Sequence, residues 1–359
     1  MNSRERFLTT INRGIPDRPP IICTFTPQVA EKMSKALGLD YEEPIDSLLS
    51  TRISHMRLLS ELGIDAVGIA ANAPDNFPTR TLKDGLLENE WGMIFKTVGL
   101  YNEFFDFPLK NAETKSDIDS FPFPDPYATG RYKHAEKTLT EFKDSHGVFG
   151  DLETSFFETS WYLAGLEKVL MDLLMETEYL IPLFDRVMNI NIEIGKELIS
   201  KGADMIWAGD DFGGQNGLLI DPDTWRKYFK PRLKYMFEEF RKVNSDIKIA
   251  WHTCGSIVPI IPDLIDVGLD ILNPIQPLAT GMDPESFKRE YGNDLIFFGG
   301  ICVQELLPNG SVQQIKDEVK RRAEILGKDG GYIIAPAHNI QDDTSVENIL
   351  AFFEACKEL

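Results

Sequence analysis

His252-Thr253-Cys254-Gly255 puts an imidazole and a thiol one residue apart. The stretch before it, Ile247-Lys248-Ile249-Ala250-Trp251, is short, apolar and rich in β-branched character, which reads as a buried strand. The two groups therefore stand where a strand runs out. Neutral imidazole and thiolate are borderline and soft donors that suit zinc. Two donors do not make a site. A hydrogen-bonded strand-end histidine beside a buried free cysteine accounts for the pair equally well.

What positions the pair is a repeating pattern. Eight short apolar runs recur along the chain: Pro20–Phe25, Ala66–Ala70, Gly147–Glu153, Ala203–Asp211, Ile247–Trp251, Asp270–Gln276, Leu295–Gly300 and Gly331–Pro336. Helical patterns lie between them. Asp223–Val243 carries Trp225, Tyr228, Phe229, Leu233, Met236 and Phe240 near a 3.6-residue period, and Ser311–Leu326 and Ser345–Leu359 start on capping residues. Gly63, Gly202 and Gly268 each stop a helix just before a strand. Near-continuous apolar strands alternating with helices indicate a parallel sheet covered on both faces. Eight such units predict an α/β fold of the (β/α)8 TIM-barrel type, forming one domain over residues 1–359, with an open doubly wound sheet as the alternative. The first 19 residues read as a helical extension outside the barrel. Residues 86–109 read as a small antiparallel insertion, followed by the Pro-rich linker Phe121–Pro126.

In such a barrel the working groups come from the C-terminal ends of the strands. The strand list then becomes a site list: Glu153; Asp210 and Asp211; His252 and Cys254; Asn273 and Gln276; Cys302; His338 and Asn339. His338 is the natural third metal ligand and Cys302 its competitor. A His-Cys-His set leaves a tetrahedral position open, the layout of a catalytic zinc. Asp211, Glu153 and Asp210 are candidates for proton handling or ligand orientation. Gln276, Asn273 and Asn339 are candidates for substrate contacts. The plain alternatives are a structural His338, a packed Cys302 and an Asp210-Asp211 pair that caps the following turn. His55, His134 and His146 read as solvated, and Cys23 and Cys356 as buried or incidental.

A formal net charge of −20 repels phosphate backbones and anionic lipids, which argues against nucleic acid or membrane as the main partner. Four scattered cysteines do not form a disulfide framework, and a reducing cytoplasm fits them. No apolar signal segment and no long apolar run is present, so no membrane span is expected.

Arg4-Glu5-Arg6-Phe7, Pro16-Asp17-Arg18-Pro19-Pro20, Gly202-Ala203-Asp204, Pro222-Asp223-Thr224-Trp225, His252-Thr253-Cys254-Gly255 and Thr344-Ser345-Val346-Glu347-Asn348 together resemble the uroporphyrinogen decarboxylase-like superfamily. The resemblance runs over nearly the whole chain and implies a (β/α)8 barrel. The decarboxylases carry an arginine-rich Met-Arg-Gln-Ala-Gly-Arg loop and a Phe-Ser-Asp step. Here the corresponding places read Thr24-Phe25-Thr26-Pro27 and Ala70-Ala71-Asn72-Ala73-Pro74. The other branch, the cobalamin-dependent methyltransferases, binds zinc through His-x-Cys-Gly and a later Cys. His338 stands where that Cys is expected, and Glu90-Trp91-Gly92 also resembles this branch. The resemblance implies a zinc-dependent methyltransferase acting between a small thiol, methoxy or other methylated compound and a corrinoid protein. With one thiolate the site is a poorer match for a thiol acceptor such as coenzyme M. Tetrapyrrole decarboxylation and a non-catalytic corrinoid- or tetrapyrrole-binding barrel are the alternatives.

Overall fold

The computed structural model describes residues 1–47, 50–98 and 101–359. Seven parallel strands form one sheet whose spatial order follows the chain. They are β1 (Ala66–Ile69), β2 (Gly147–Asp151), β3 (Met205–Gly209), β4 (Lys248–His252), β5 (Ile271–Ile275), β6 (Ile296–Ile301) and β7 (Tyr332–Pro336). All but the first residue of β4 are buried, as expected of strands covered on both faces.

The eighth position belongs to the Pro20–Phe25 run, but it is not a regular strand. Ile21 bridges Ile334 and Phe25 bridges Ile340, while the Asp65 N–H just before β1 donates to the Ile21 carbonyl at 2.8 Å. The run thus spans the gap between the sheet's two edges. Its ladder is broken for a local reason. Pro20 has no N–H to give, and the Ile21 N–H is diverted to the buried Asp65 carboxylate at 2.7 Å.

The N-terminal helix, Ser3–Ile11, starts on a capping box between Asn2 and Glu5. It lies outside the ring of strands, as expected, but its apolar side chains reach into the barrel's end. Phe7 is fully buried in the inner core with Ile22, Phe149, Trp207, Phe298 and Ile333. Gly147, at the start of β2, makes room for it: a Cβ there would stand 2.0 Å from the Phe7 ring. The helix therefore plugs the N-terminal end of the barrel. Its apolar stripe was legible, but its partner was not.

Gly63, Gly202 and Gly268 all end helices or turns in the left-handed conformation. The long pattern over Asp223–Val243 divides into helices Pro222–Tyr228 and Lys230–Val243, because Pro231 cannot donate back into the preceding turn. The antiparallel insertion is present and begins earlier than expected, with strands Arg80–Thr81, Leu87–Glu88, Ile94–Val98 and Tyr101–Asp106. Residues 99 and 100 of the expected insertion lie outside the described residues. The buried Arg131 guanidinium joins the linker and the loop after β1 to the insertion, donating to Glu90 at 2.9 Å, to the Asp125 carbonyl at 2.9 Å and to the Asn72 carbonyl at 3.0 Å. No helix among the described residues is long and apolar enough to cross a membrane.

The three remaining histidines are less exposed than their sequence surroundings suggest. His55 is buried against Tyr41, and His134 and His146 are partly buried. Cys23 and Cys356 are buried, as expected.

Candidate metal centre at the barrel mouth

His252 is the last residue of β4, and the turn after it is held from both neighbouring strands. Thr253 faces the helix layer, fully buried. Its N–H donates to the Asn273 carbonyl at 2.8 Å, and its hydroxyl accepts from the Phe212 N–H at 3.1 Å. Residues alternate in extended chain, so His252 and Cys254 emerge together on the other side. Gly255 completes the turn at φ +81, pressed so closely onto Gly213 and Gly214 that a Cβ would lie 2.5 Å from their backbone. Only glycine suits that position. The Gly255 N–H donates to Gln276 Oε1 at 2.6 Å.

His252 Nε2 lies 3.3 Å from Cys254 Sγ. His338, at the end of the last strand, brings its ring to 6.0 Å from the His252 ring, centre to centre. One donor atom from each of His252, Cys254 and His338 lies within 4.8 Å of the others. Among the described residues this is the one group of three or more such donors close enough to share an ion. Cys302 is not in it. Its sulfur instead accepts from the Glu305 N–H at 3.4 Å in the loop after β6.

The other polar groups at the strand ends take different parts. Asp211 Oδ1 accepts the Cys254 N–H at 2.6 Å and lies 3.7 Å from His252 Nε2. Asp210 turns the other way, fully buried, and accepts N–H groups of Ser155, Phe156 and Glu158 at 3.2, 3.2 and 2.9 Å. It braces the start of helix Phe157–Ala164. Asn273 engages His252 Nδ1 at 2.7 Å. Glu153 is tied to the backbone N–H and the hydroxyl of Thr51. Asn339 joins Thr24 and the Thr51 hydroxyl.

Two further groups complete the mouth. Arg52 is buried, ion-paired with Asp151 at 3.2 Å and stacked on Trp207, its carbon centre 4.2 Å from the ring centroid. It lines a cavity with Glu153, His252, His338, Asn339 and Thr24, floored by Trp207 and Phe298. Glu158, buried in the first turn of its helix, adds a carboxylate near Asp211. The list of strand ends did not yield Arg52, because it arrives on a loop without periodicity. Glu158 had a signal: it is a first-turn acid in the loop after a barrel strand.

Burial dominates the electrostatics. It holds His252 neutral, its pKa well below the usual imidazole value, helped by the nearby Arg52 charge. It raises the Cys254 thiol, with Asp211 and Glu158 pushing in the same direction. Glu153 is pushed up to about 7 by burial and the Asp151 charge, against the pull of Arg52. Asp211 is raised by burial. The mouth thus holds neutral nitrogen donors, a protonated thiol and one carboxyl group, Glu153, able to exchange a proton near neutrality.

A family model described as uroporphyrinogen decarboxylase (URO-D) matches residues 108–359, more than half of the chain. The chain belongs to the uroporphyrinogen decarboxylase family. Within that family it is similar to methylated-thiol–coenzyme M methyltransferase of Methanosarcina mazei, 25% identical over 208 residues, which cover 58% of this chain and 52% of that protein. Methylcobamide:CoM methyltransferase MtaA of Methanosarcina barkeri is 27% identical over 181 residues, 49% of each chain. The chain spans about half the length of the curated relatives it matches. A solved methyltransferase from Methanosarcina mazei superimposes with a TM-score of 0.74 at 19% identity, covering 100% of this chain and 99% of that one. That likeness shows that this member of the uroporphyrinogen decarboxylase family shares its barrel.

Proposed function

We propose that this protein is a methyltransferase that moves a methyl group between a small thiol, methoxy or otherwise methylated compound and a corrinoid protein, with zinc held by His252, Cys254 and His338. The convergence of those three donors at the barrel mouth carries the reading. The names of the relatives support methyl transfer over decarboxylation.

The donor set fits the ion. Ligands at ordinary zinc–sulfur and zinc–nitrogen lengths stand about 3.6 Å apart around a tetrahedral ion. The observed 3.3 Å between Cys254 Sγ and His252 Nε2 is within a few tenths of that. Bound zinc would act as a Lewis acid on the substrate heteroatom, favouring the thiolate of an acceptor or polarising the ether oxygen of a donor.

The chain's own residues do the rest. Cys254 must lose its proton to become a ligand, and Asp211 stands against its backbone, placed to take it. Glu153, with a pKa near neutrality and lining the cavity, is placed to give or accept the proton of the substrate heteroatom. Arg52 covers the aromatic floor of the cavity. His338 stands exposed at the rim, leaving the mouth open to a partner that carries the corrinoid.

Metal analysis of the purified chain, alongside methyl transfer to cob(I)alamin or from methylcobalamin followed by absorbance, tests this. Near-stoichiometric zinc is expected, lost together with activity in His252→Ala, Cys254→Ser and His338→Ala. Strongly substoichiometric zinc with a fully active His252→Ala would sink the reading. X-ray absorption showing one sulfur ligand supports His338 as the third donor, whereas two sulfurs would return Cys302 to the set.

A further inference from the structure

We infer that Asn273 is the positioning residue that presents His252 Nε2 to the metal, and that as an amide rather than a carboxylate it keeps the bound metal strongly electrophilic. The inference rests on the zinc reading above and adds a determinant of its strength.

Asn273 sits directly across from His252 in the β4–β5 register. It is 3% exposed. Its Oδ1 meets His252 Nδ1 at 2.7 Å, and its Nδ2 donates to the Phe298 carbonyl on β6 at 3.3 Å. The second contact fixes the amide's orientation. Turned over, Asn273 would set its oxygen against a carbonyl oxygen and its NH2 against the ring. With Oδ1 facing the ring, His252 must carry its proton on Nδ1. Nε2 is then the lone-pair nitrogen, and it is the one that faces Cys254 Sγ at 3.3 Å.

A metal-bound histidine commonly donates its other N–H to a carboxylate, a backbone carbonyl or water, and a carboxylate partner raises the ring's basicity. An amide oxygen orients the ring without adding charge. Asn273 therefore supplies the geometry and withholds the electron donation. Its effect runs in the same direction as a donor set with a single thiolate. Such a metal suits a leaving or entering heteroatom that needs activation, an ether oxygen above all.

The test uses the full chain, zinc competition against a chromophoric chelator, and 15N spectra of the histidine rings in metal-free protein. The Nδ1–H tautomer of His252 is expected. Asn273→Leu, which keeps the branched shape and loses the acceptor, should weaken zinc binding by about 10–100-fold. Asn273→Asp should tighten it by about tenfold and lower kcat with KM little changed. A folded Asn273→Leu protein that binds zinc within about twofold of the parent would overturn the inference. If the Leu variant does not fold, Asn273→Asp decides: unchanged zinc affinity and an unchanged absorption spectrum with cobalt(II) in place of zinc would overturn it. A parent protein that binds no zinc rejects the metal reading instead. In that case the tautomer still tests Asn273, and an Nε2–H ring would reject it.

Discussion

A thiolate flanked by two imidazoles, the donor set proposed here, leaves more positive charge on a divalent ion than two thiolates would. That follows from which residues end or closely follow β4 and β7, and those places are readable in the sequence as strand ends. The supporting shell was not. Nothing in the residue types distinguishes Asn273, which turns towards His252, from Gln276, which pins Gly255. Arg52 reaches the mouth from a loop whose course depends on tertiary contacts. Asp210 and Asp211, adjacent in sequence, diverge because one side chain enters the helix start and the other turns to Cys254. Away from the mouth, His134 carries a residue-level prediction. Burial lowers its pKa to about 4, and its Nδ1 has no hydrogen-bond partner among the described residues. The unfolded chain binds a proton near the ordinary value of 6.5 and the folded chain does not. Stability is therefore full above pH 6.5 and falls as pH drops towards 4. His134→Gln should flatten that slope, measured as the urea midpoint across the window. An unchanged slope would mean that His134 is protonated in the fold.

At the scale of elements, all eight staves of the barrel were visible as apolar runs, because strands buried on both faces cannot hide their composition. The failures came where an element depends on a distant partner. The first stave lost its ladder to Asp65, and the N-terminal helix found its partner inside the barrel. Phe7→Ala should cost about 3–5 kcal/mol by emptying that plug. Gly147→Ala should cost about 1–3 kcal/mol by crowding it from the other side. Chemical denaturation of each variant measures both, and a Gly147→Ala protein as stable as the parent would show that the helix can shift at little cost. Gly255→Ala is a different case. It strains a positive-φ turn and pushes Cβ into the Gly213 backbone, so it should displace Cys254. Zinc content should fall in that variant by more than the loss of folded protein, with metal per folded chain as the readout.

Across the whole molecule, the antiparallel insertion is held to the barrel through a charge pair with almost no access to water: the Arg131 side chain is 0% exposed and that of Glu90 7%. Removing one partner strands the other, so Glu90→Leu alone should destabilise by about 3–5 kcal/mol. The double replacement Glu90→Leu with Arg131→Met should recover most of the loss, and a double-mutant cycle in urea reads the difference. The pair could not be foreseen, since the two residues are 41 positions apart in irregular chain. The barrel's closure has a consequence of another kind. The run at Pro20–Phe25 pairs with residues near Ile334 and Ile340, and the third donor stands between those two contacts at His338. A ribosome releases the chain from its beginning, so the Cys254 thiol and its neighbouring imidazole emerge well before the segment that completes them. Until then the nascent sheet has an open edge at β6 and an unfinished mouth. Closing the last seam of the barrel and assembling the proposed metal centre are thus one late event, and a growing chain cannot hold the full proposed donor set before its barrel is nearly complete.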